Sequence, residues 1–347
     1  MCFKRNITLF FTLVIAASAF AQDKKFTSVC VGFFNVENLF DTLDQEHVSD
    51  GEFTPESAKL WGTERYMKKL DDLGRVISEL GAELHPNGLA VLGLAEVENR
   101  SVVDDLVKNK AIAGRNYQVV HEDSPDRRGI DVALLYDPTR FEVTAHRSYF
   151  LDLGTTENGD TIFSRDQLLV SGVLEGEVVH VIVAHWPSRS GGQKRSSPRR
   201  IKAAELGRHI VDSLLTEDPQ ARIIYMGDLN DDPTDPSVRR FLKSTGDKEL
   251  ATNGRLYNPM VDFAQRGIGS LAWRDSWNLF DQVILSESLL DAEGFRYYGT
   301  RVYNEGYLRQ KDGNFAGYPY RTYVGSTYQG GFSDHFPVFV IFVKEVK

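Results

Sequence analysis

Short apolar runs that stop abruptly at a carboxylate, an amide or a histidine recur from one end of this chain to the other, and no other feature limits its fold as much. The runs at 29–35, 89–95, 131–136, 141–150, 167–174, 178–184, 222–226, 280–285 and 336–343 read as strands, with Asp137-Pro138 and Glu175-Gly176 as turn signals between some of them. Helical spacing interrupts the series. Tyr66, Leu70, Leu73, Ile77 and Leu80 predict a helix over 63–80, with Thr63 as its cap and Gly81 as its stop. Further helices are predicted at 104–110, 199–215 and 236–243.

Strands that alternate with helices early and follow one another directly in the middle imply a layered α/β architecture with much antiparallel pairing. Two sheets packed face to face, with helices outside, would bury all of these runs. The 347 residues hold no repeat, low-complexity tract or long linker, so one catalytic domain over 22–347 is expected.

The first residues read differently. Lys4 and Arg5 precede an apolar stretch at 7–20, which Ala19-Phe20-Ala21 closes as a small-x-small cleavage site. That is the pattern of a signal peptide over 1–21, too short to span a membrane, and it predicts export to the periplasm or the exterior. No second long apolar run follows, so the mature chain is expected to have no transmembrane segment. Cys30 would then be the single remaining cysteine, and its place in an apolar strand predicts a small buried hydrophobe without chemistry. Removing Lys4 and Arg5 takes the net charge of −9 two units further negative. Such a surface does not help hold long nucleic acid, but acids clustered at one site can hold a metal.

The strand ends carry the chemistry. Asn35 and Glu37 close the first run, Glu96 the second, His185 the run at 178–184, and Asp228 with Asn230 the run at 222–226. Asp281 opens the run at 280–285, and Asp334-His335 immediately precedes the last. Taken singly, each acid is an ordinary turn residue or helix cap. Taken together they are the hard, oxygen-rich donors that suit magnesium or manganese. There is no cysteine pair or His-x-x-x-His for zinc, no Gly-x-Ser-x-Gly elbow, no Walker loop and no Rossmann glycine fingerprint.

Six segments taken in order resemble the endonuclease/exonuclease/phosphatase superfamily, which includes pancreatic deoxyribonuclease, abasic-site endonucleases, inositol polyphosphate 5-phosphatases and bacterial sphingomyelinases. They are Phe33-Phe34-Asn35-Val36-Glu37, Leu94-Ala95-Glu96-Val97, Ala184-His185-Trp186, Gly227-Asp228-Leu229-Asn230, Phe280-Asp281-Gln282-Val283-Ile284-Leu285 and Ser333-Asp334-His335-Phe336-Pro337-Val338. The resemblance implies a four-layered α/β/β/α sandwich of two mixed, largely antiparallel sheets, and a metal-dependent phosphoesterase. It implies Glu96 as principal metal ligand, with Asn35 and Glu37 beside it and Asp334 on the same cluster, holding Mg²⁺ or Mn²⁺. It implies Asp228 as the residue that positions and deprotonates water, and Asn230 as an amide orienting water or phosphate. His335 would contact the scissile phosphate with Asp281 as its partner. His185 would be the second histidine of the deoxyribonuclease branch, with Asp131 as its partner.

The substrate stays open at this level. It is a phosphate ester, either nucleic acid or a small phosphodiester. Phosphomonoesters such as inositol phosphates, and phospholipid head groups, are the alternative. The segment Ser276-Trp277-Asn278-Leu279-Phe280-Asp281 departs from the Pro-Ala-Trp-Cys-Asp-Arg type of the 5-phosphatases. A non-catalytic binding module would have lost ligand positions, and the main ones are present. Arg128, Arg189 and Arg195 are candidates for gripping phosphate. The basic stretch that also holds Lys194, Arg199, Arg200 and Lys202 reads equally as a solvated loop and helix face. Trp186, Trp273 and Trp277 are read as core, with stacking on a substrate ring as the alternative. No stable protein partner is implied.

Overall fold

The structure, a computed structural model, describes residues 25–156, 158–290 and 294–346. The leader expected over 1–21 lies outside the described residues.

The apolar runs become strands because their side chains find cover on both faces. β1 (Lys25–Leu39), β2 (Val91–Val97), β3 (Gln118–His121) and β4 (Asp131–Tyr136) belong to a six-stranded sheet. Its order is Arg296–Val302, Val338–Val346, β1, β2, β4, β3. β5 (Phe141–Tyr149), β6 (Gln167–Leu174), β7 (Glu177–His185) and β8 (Arg222–Asp228) lead a seven-stranded sheet, completed by Asp281–Leu285, Leu256–Tyr257 and Ser244–Thr245. Most neighbours are antiparallel, but β1 with β2, β7 with β8, and Leu256–Tyr257 with Ser244–Thr245 are parallel.

Alternation along the strands builds three apolar layers. In β8, Ile224 and Met226 face the six-stranded sheet, where they meet Val31, Phe33 and Val340. Ile223 and Tyr225 face outward onto Ala203, Ala204 and Val211 of α3 (Gln193–Glu217). On the far side, Phe34, Leu92 and Leu94 pack under α1 (Thr63–Glu79) and α2 (Arg100–Val107). The result is the four-layered α/β/β/α sandwich, with two helices over one sheet and α3 over the other.

α1 spans the predicted stretch, with its stripe of Leu70, Leu73, Ile77 and Leu80 buried. Each such side chain contributes about 1.5–3 kcal/mol relative to exposure. Thr63 does not cap it: Gly62 takes that position without a side-chain hydrogen bond. The helix stops at Gly81, whose φ of 67° is left-handed. α2 begins earlier than expected because Asn99 caps it, accepting from Val102 N at 3.1 Å. The predicted 236–243 helix is one π turn at Ser237–Phe241. The strand Arg296–Val302 was not legible, because it is a polar, only partly buried sheet edge with no apolar run to read. Among the described residues no helix is long and apolar enough to cross a membrane.

Candidate active site

Register explains why distant residues meet. β1 and β2 run parallel and finish together, with Asn35 opposite Ala95. The antiparallel β4 starts at that same end, Asp131 opposite Val97, and so does the last strand, Val338 opposite Phe33. In the second sheet His185 lies opposite Asp228, and Asp281 opens its antiparallel strand opposite Asp228. One end of the sandwich therefore collects Asn35, Glu37, Glu96, His185, Asp228, Asn230, Asp281, Asp334 and His335.

The backbone is strained where it carries these groups. The β1–β2 pairing slips between Asn35 and Leu39, and the β2–β4 pairing between Ala95 and Val97. Glu37 (φ 51°), Glu96 (φ 64°) and Asn230 (φ 49°) are left-handed non-glycine residues. Such conformations cost of order 1–3 kcal/mol each and gather at functional sites. The bulges turn Glu37 and Glu96 out of strict strand alternation.

Asp228 is the centre. Its Oδ2 accepts from Asn35 Nδ2 at 3.0 Å, and its Oδ1 accepts from Asn230 N at 2.9 Å. Asn230 donates its side-chain amide to Trp186 O at 3.0 Å, which fixes the turn after β8. Two histidines flank Asp228 Oδ2: His185 Nε2 at 3.5 Å and His335 Nε2 at 3.9 Å. Burial pushes the Asp228 carboxyl up to about 7; Asp281 adds to this, while His335, Asn230 and Asn35 oppose it.

The histidines differ in proton affinity. Burial alone would strip His335 of its proton. Asp281, with Asp334 and Asp228 beyond it, outweighs burial and holds its pKa well above the ordinary histidine value. The contact is short, His335 Nδ1 to Asp281 Oδ2 at 2.6 Å, and Ser270 Oγ donates to the same oxygen. Burial holds the His185 pKa well below the ordinary value, with the positive charges of Arg165, Arg128 and His335 adding to it. Its Nδ1 is buried without a hydrogen-bond partner among the described residues. Ligand-type atoms of Asp228, Asp281 and His335 lie within 4.8 Å of one another. The 2.6 Å contact makes this trio a proton-handling group rather than a cation cage.

The remaining carboxylates gather around a buried lysine. Lys69 of α1 donates to Thr322 Oγ1 and Phe332 O, each at 2.7 Å. Burial lowers its pKa against the pull of Glu37, Asp334, Asp72 and Glu96. Glu37 accepts from the backbone N–H of Thr322 at 2.7 Å and of Tyr323 at 3.4 Å, and burial followed by Asp334 pushes it up to about 7. Glu96 Oε2 accepts from Asn38 N at 3.0 Å, while its Oε1 stands 3.9 Å from His185 Nε2. Asp334 pairs with Arg321 at 3.1 Å. Asn35, Glu37, Glu96 and Asp334 all offer oxygen atoms, although the three acids do not converge within 4.8 Å as the Asp228, Asp281 and His335 group does. That chemistry fits a hard divalent cation.

Lys69, Arg165, Ser270 and Arg321 were missed from sequence. Lys69 had a signal: a lysine on the buried stripe between Tyr66 and Leu73 needs buried partners. The others sit in loops and had none.

Several expected contacts are corrected. Asp131 does not partner His185: its Oδ2 lies 3.1 Å from His121 Nε2, and Ser124 donates to its Oδ1 through both N and Oγ. Arg189 is not free to grip phosphate. Its Nη2 lies 2.7 Å from Asp235, 3.2 Å from Asp231 and 3.3 Å from Asp232, and its Nε donates to Asn230 O. Arg200 is fully buried against Asp231 at 2.7 Å. Arg195 is exposed on the first turn of α3, and Arg128 lies partly exposed 3.7 Å from Asp126. Trp186 is core, donating to Tyr225 Oη at 2.9 Å, whereas Trp273 and Trp277 are exposed.

The sequence model of the endonuclease/exonuclease/phosphatase family matches residues 30–344. The chain belongs to this family. Its members are metal-dependent phosphoesterases, and the chain is a hydrolase acting on phosphate ester bonds. Solved structures share the fold. A humanized D. rerio TDP2 is 14% identical with a TM-score of 0.54, over 91% of this chain and 98% of that one. The catalytic domain of human Nocturnin with bound sulfate is 14% identical with a TM-score of 0.52, over 92% and 97%. A mannosyl-6-phosphatase of Bacteroides thetaiotaomicron is 16% identical with a TM-score of 0.53, over 90% and 99%. At these identities the likeness is one of fold. A comparison with curated proteins returns no match.

Proposed function

We propose that this family member is a phosphodiesterase of nuclease type that hydrolyses its substrate by direct attack of water. The observation that carries the reading is Asp228 flanked by two buried histidines whose proton affinities are driven in opposite directions. Asp228, held by Asn35 and Asn230, takes the proton of the attacking water. His335, kept protonated by Asp281, stabilises negative charge that builds on the phosphoryl oxygens and can pass its proton to the leaving oxygen. His185, held neutral, offers a hydrogen bond without adding charge. Asn35, Glu37, Glu96 and Asp334 would hold a divalent cation, Mg²⁺ first and Mn²⁺ second, which would supply further positive charge against that of the phosphoryl group. No covalent nucleophile is needed. The leader-like sequence at 1–21 supports a mature chain that acts outside the cytoplasm. Recovery of an exported chain still beginning at Met1 would count against cleavage there.

The test is a substrate panel with metal titration: DNA, RNA, nucleotides, inositol phosphates and sphingomyelin. Asp228→Asn and His335→Gln each lower kcat on a diester by about 10²–10⁴-fold while leaving the fold intact. Near-wild-type turnover by either variant refutes the assignment. Faster hydrolysis of monoesters than of diesters replaces the nuclease reading with a phosphatase.

A further inference from the structure

A cavity of about 820 Å³ lies away from the catalytic cluster. It lies beside the free edge strand Ser244–Thr245 of the seven-stranded sheet, and Arg239, Arg240 and Arg255 line it. None of these three side chains has a carboxylate partner or a hydrogen bond among the described residues. In a chain with 49 acidic and 40 basic residues, three unpaired arginines around one cavity are conspicuous. The two acids of the wall are already engaged. Asp262 pairs with Arg266 at 3.0 Å, and Asp247 accepts from Glu249 N at 3.0 Å. A guanidinium presents a planar fork of donors that matches a phosphate, so an anionic ligand would supply the missing partner.

The cavity is tied to the site. Asn230 O accepts from Arg189 Nε, and Arg189 binds Asp235. Asp235 sits between Thr234 and Pro236, both of which line the cavity. The arginines at 239 and 240 ride on the π turn Ser237–Phe241, which Ser237 Oγ pins to Asp231 Oδ2 at 2.6 Å. Thr234 is six residues past Asp228, so the two are at most about 20 Å apart. In a duplex the phosphates of one strand advance about 3.4 Å along the axis per nucleotide, so no more than roughly six nucleotides are needed to bridge that interval.

We propose that this cavity is a second anion-binding subsite, holding a phosphate of the substrate several ester linkages away from the scissile one. The inference rests on the phosphodiesterase reading and extends it to a polymeric substrate.

The experiment compares the wild type with the combined variant Arg239→Gln, Arg240→Gln, Arg255→Gln in Mg²⁺. The substrates are a small chromogenic diester, bis(para-nitrophenyl) phosphate, a dinucleotide, and a single strand of about 12 nucleotides, long enough to reach the cavity. The expected result is a KM for the long strand raised about tenfold, with kcat on all three and KM on the small diester within about twofold. The slope of log KM against log salt for the long strand should also flatten, by about 0.7 for each phosphate that the variant no longer neutralises. That is a readout which a merely structural role for the arginines would not move. An unchanged KM and salt slope for the long strand overturns the subsite. So does a wild type whose KM does not improve from dinucleotide to long strand, and in that case the phosphodiesterase reading survives. If the wild type hydrolyses none of the three diesters, that reading fails first and the subsite falls with it.

Discussion

At Cys30 the thiol is fully buried between Gly81, Leu89 and the β1 backbone, and burial pushes it up to about 12. Cysteine reacts as thiolate, so at pH 8 very little of this thiol is ionised in the folded protein. Iodoacetamide at pH 8 should leave Cys30 unmodified in the native chain and label it fully in urea. Rapid native labelling would contradict the packing. Its inert role was legible because the residue sits inside an apolar run. Asp131 shows the opposite case. The resemblance implied His185 as its partner, and the β3–β4 register, which sets His121 opposite Ala133, gives it His121 instead. The resemblance anticipated Asp281 beside His335, but the lowered proton affinity of His185 was invisible in sequence. It depends on burial first and then on Arg165 and Arg128, which local pattern does not place beside His185. The left-handed backbone at Glu37 and Glu96 was not legible either, because neither residue type signals a positive φ.

Among the elements, β8 shows how a single residue sets a pairing. A Cβ at Gly227 would lie 2.1 Å from Ala184 O, so the β7–β8 pair can close only on glycine. Gly227→Ala should cost about 3 kcal/mol or more, or prevent folding. Gly114→Ala, where a Cβ meets nothing within 4 Å, should be close to neutral. Urea midpoints measure both, and equal midpoints would show that β7 and β8 have room to spare. At α2 the cap is the weak point: Asn99→Ala should cost about 1 kcal/mol by the same assay, and no change would mean that another group satisfies Val102 N. Elements with a continuous apolar signal were legible nearly to the residue. β4 and β6 start and end where the sequence places them. Elements that depend on one capping residue, such as α2, or on a partly buried edge, such as Arg296–Val302, were displaced or missed.

For the whole molecule, folding and the site are one event, because Asn35, Glu37 and Glu96 come from one sheet and His185, Asp228 and Asp281 from the other. A cation that binds only the folded chain stabilises it, by about 2.7 kcal/mol at a hundred times its Kd. In a chain of this size that corresponds to roughly 3–6 °C. Melting in millimolar Mg²⁺ or Mn²⁺ should therefore exceed melting in chelator for the wild type, and Glu96→Gln should abolish the difference. Equal melting temperatures for the wild type would sink the metal assignment without reference to activity. Sequence by itself determined the layered class, the strand series and the residue types at the strand ends. These follow from local periodicity, and each run carries its own signal. Only the tertiary structure decided which ends meet, which histidine keeps its proton, and which arginines are spent on neighbouring acids. Those are consequences of parallel and antiparallel register between runs up to three hundred residues apart, from Asn35 to His335, and no local pattern encodes it.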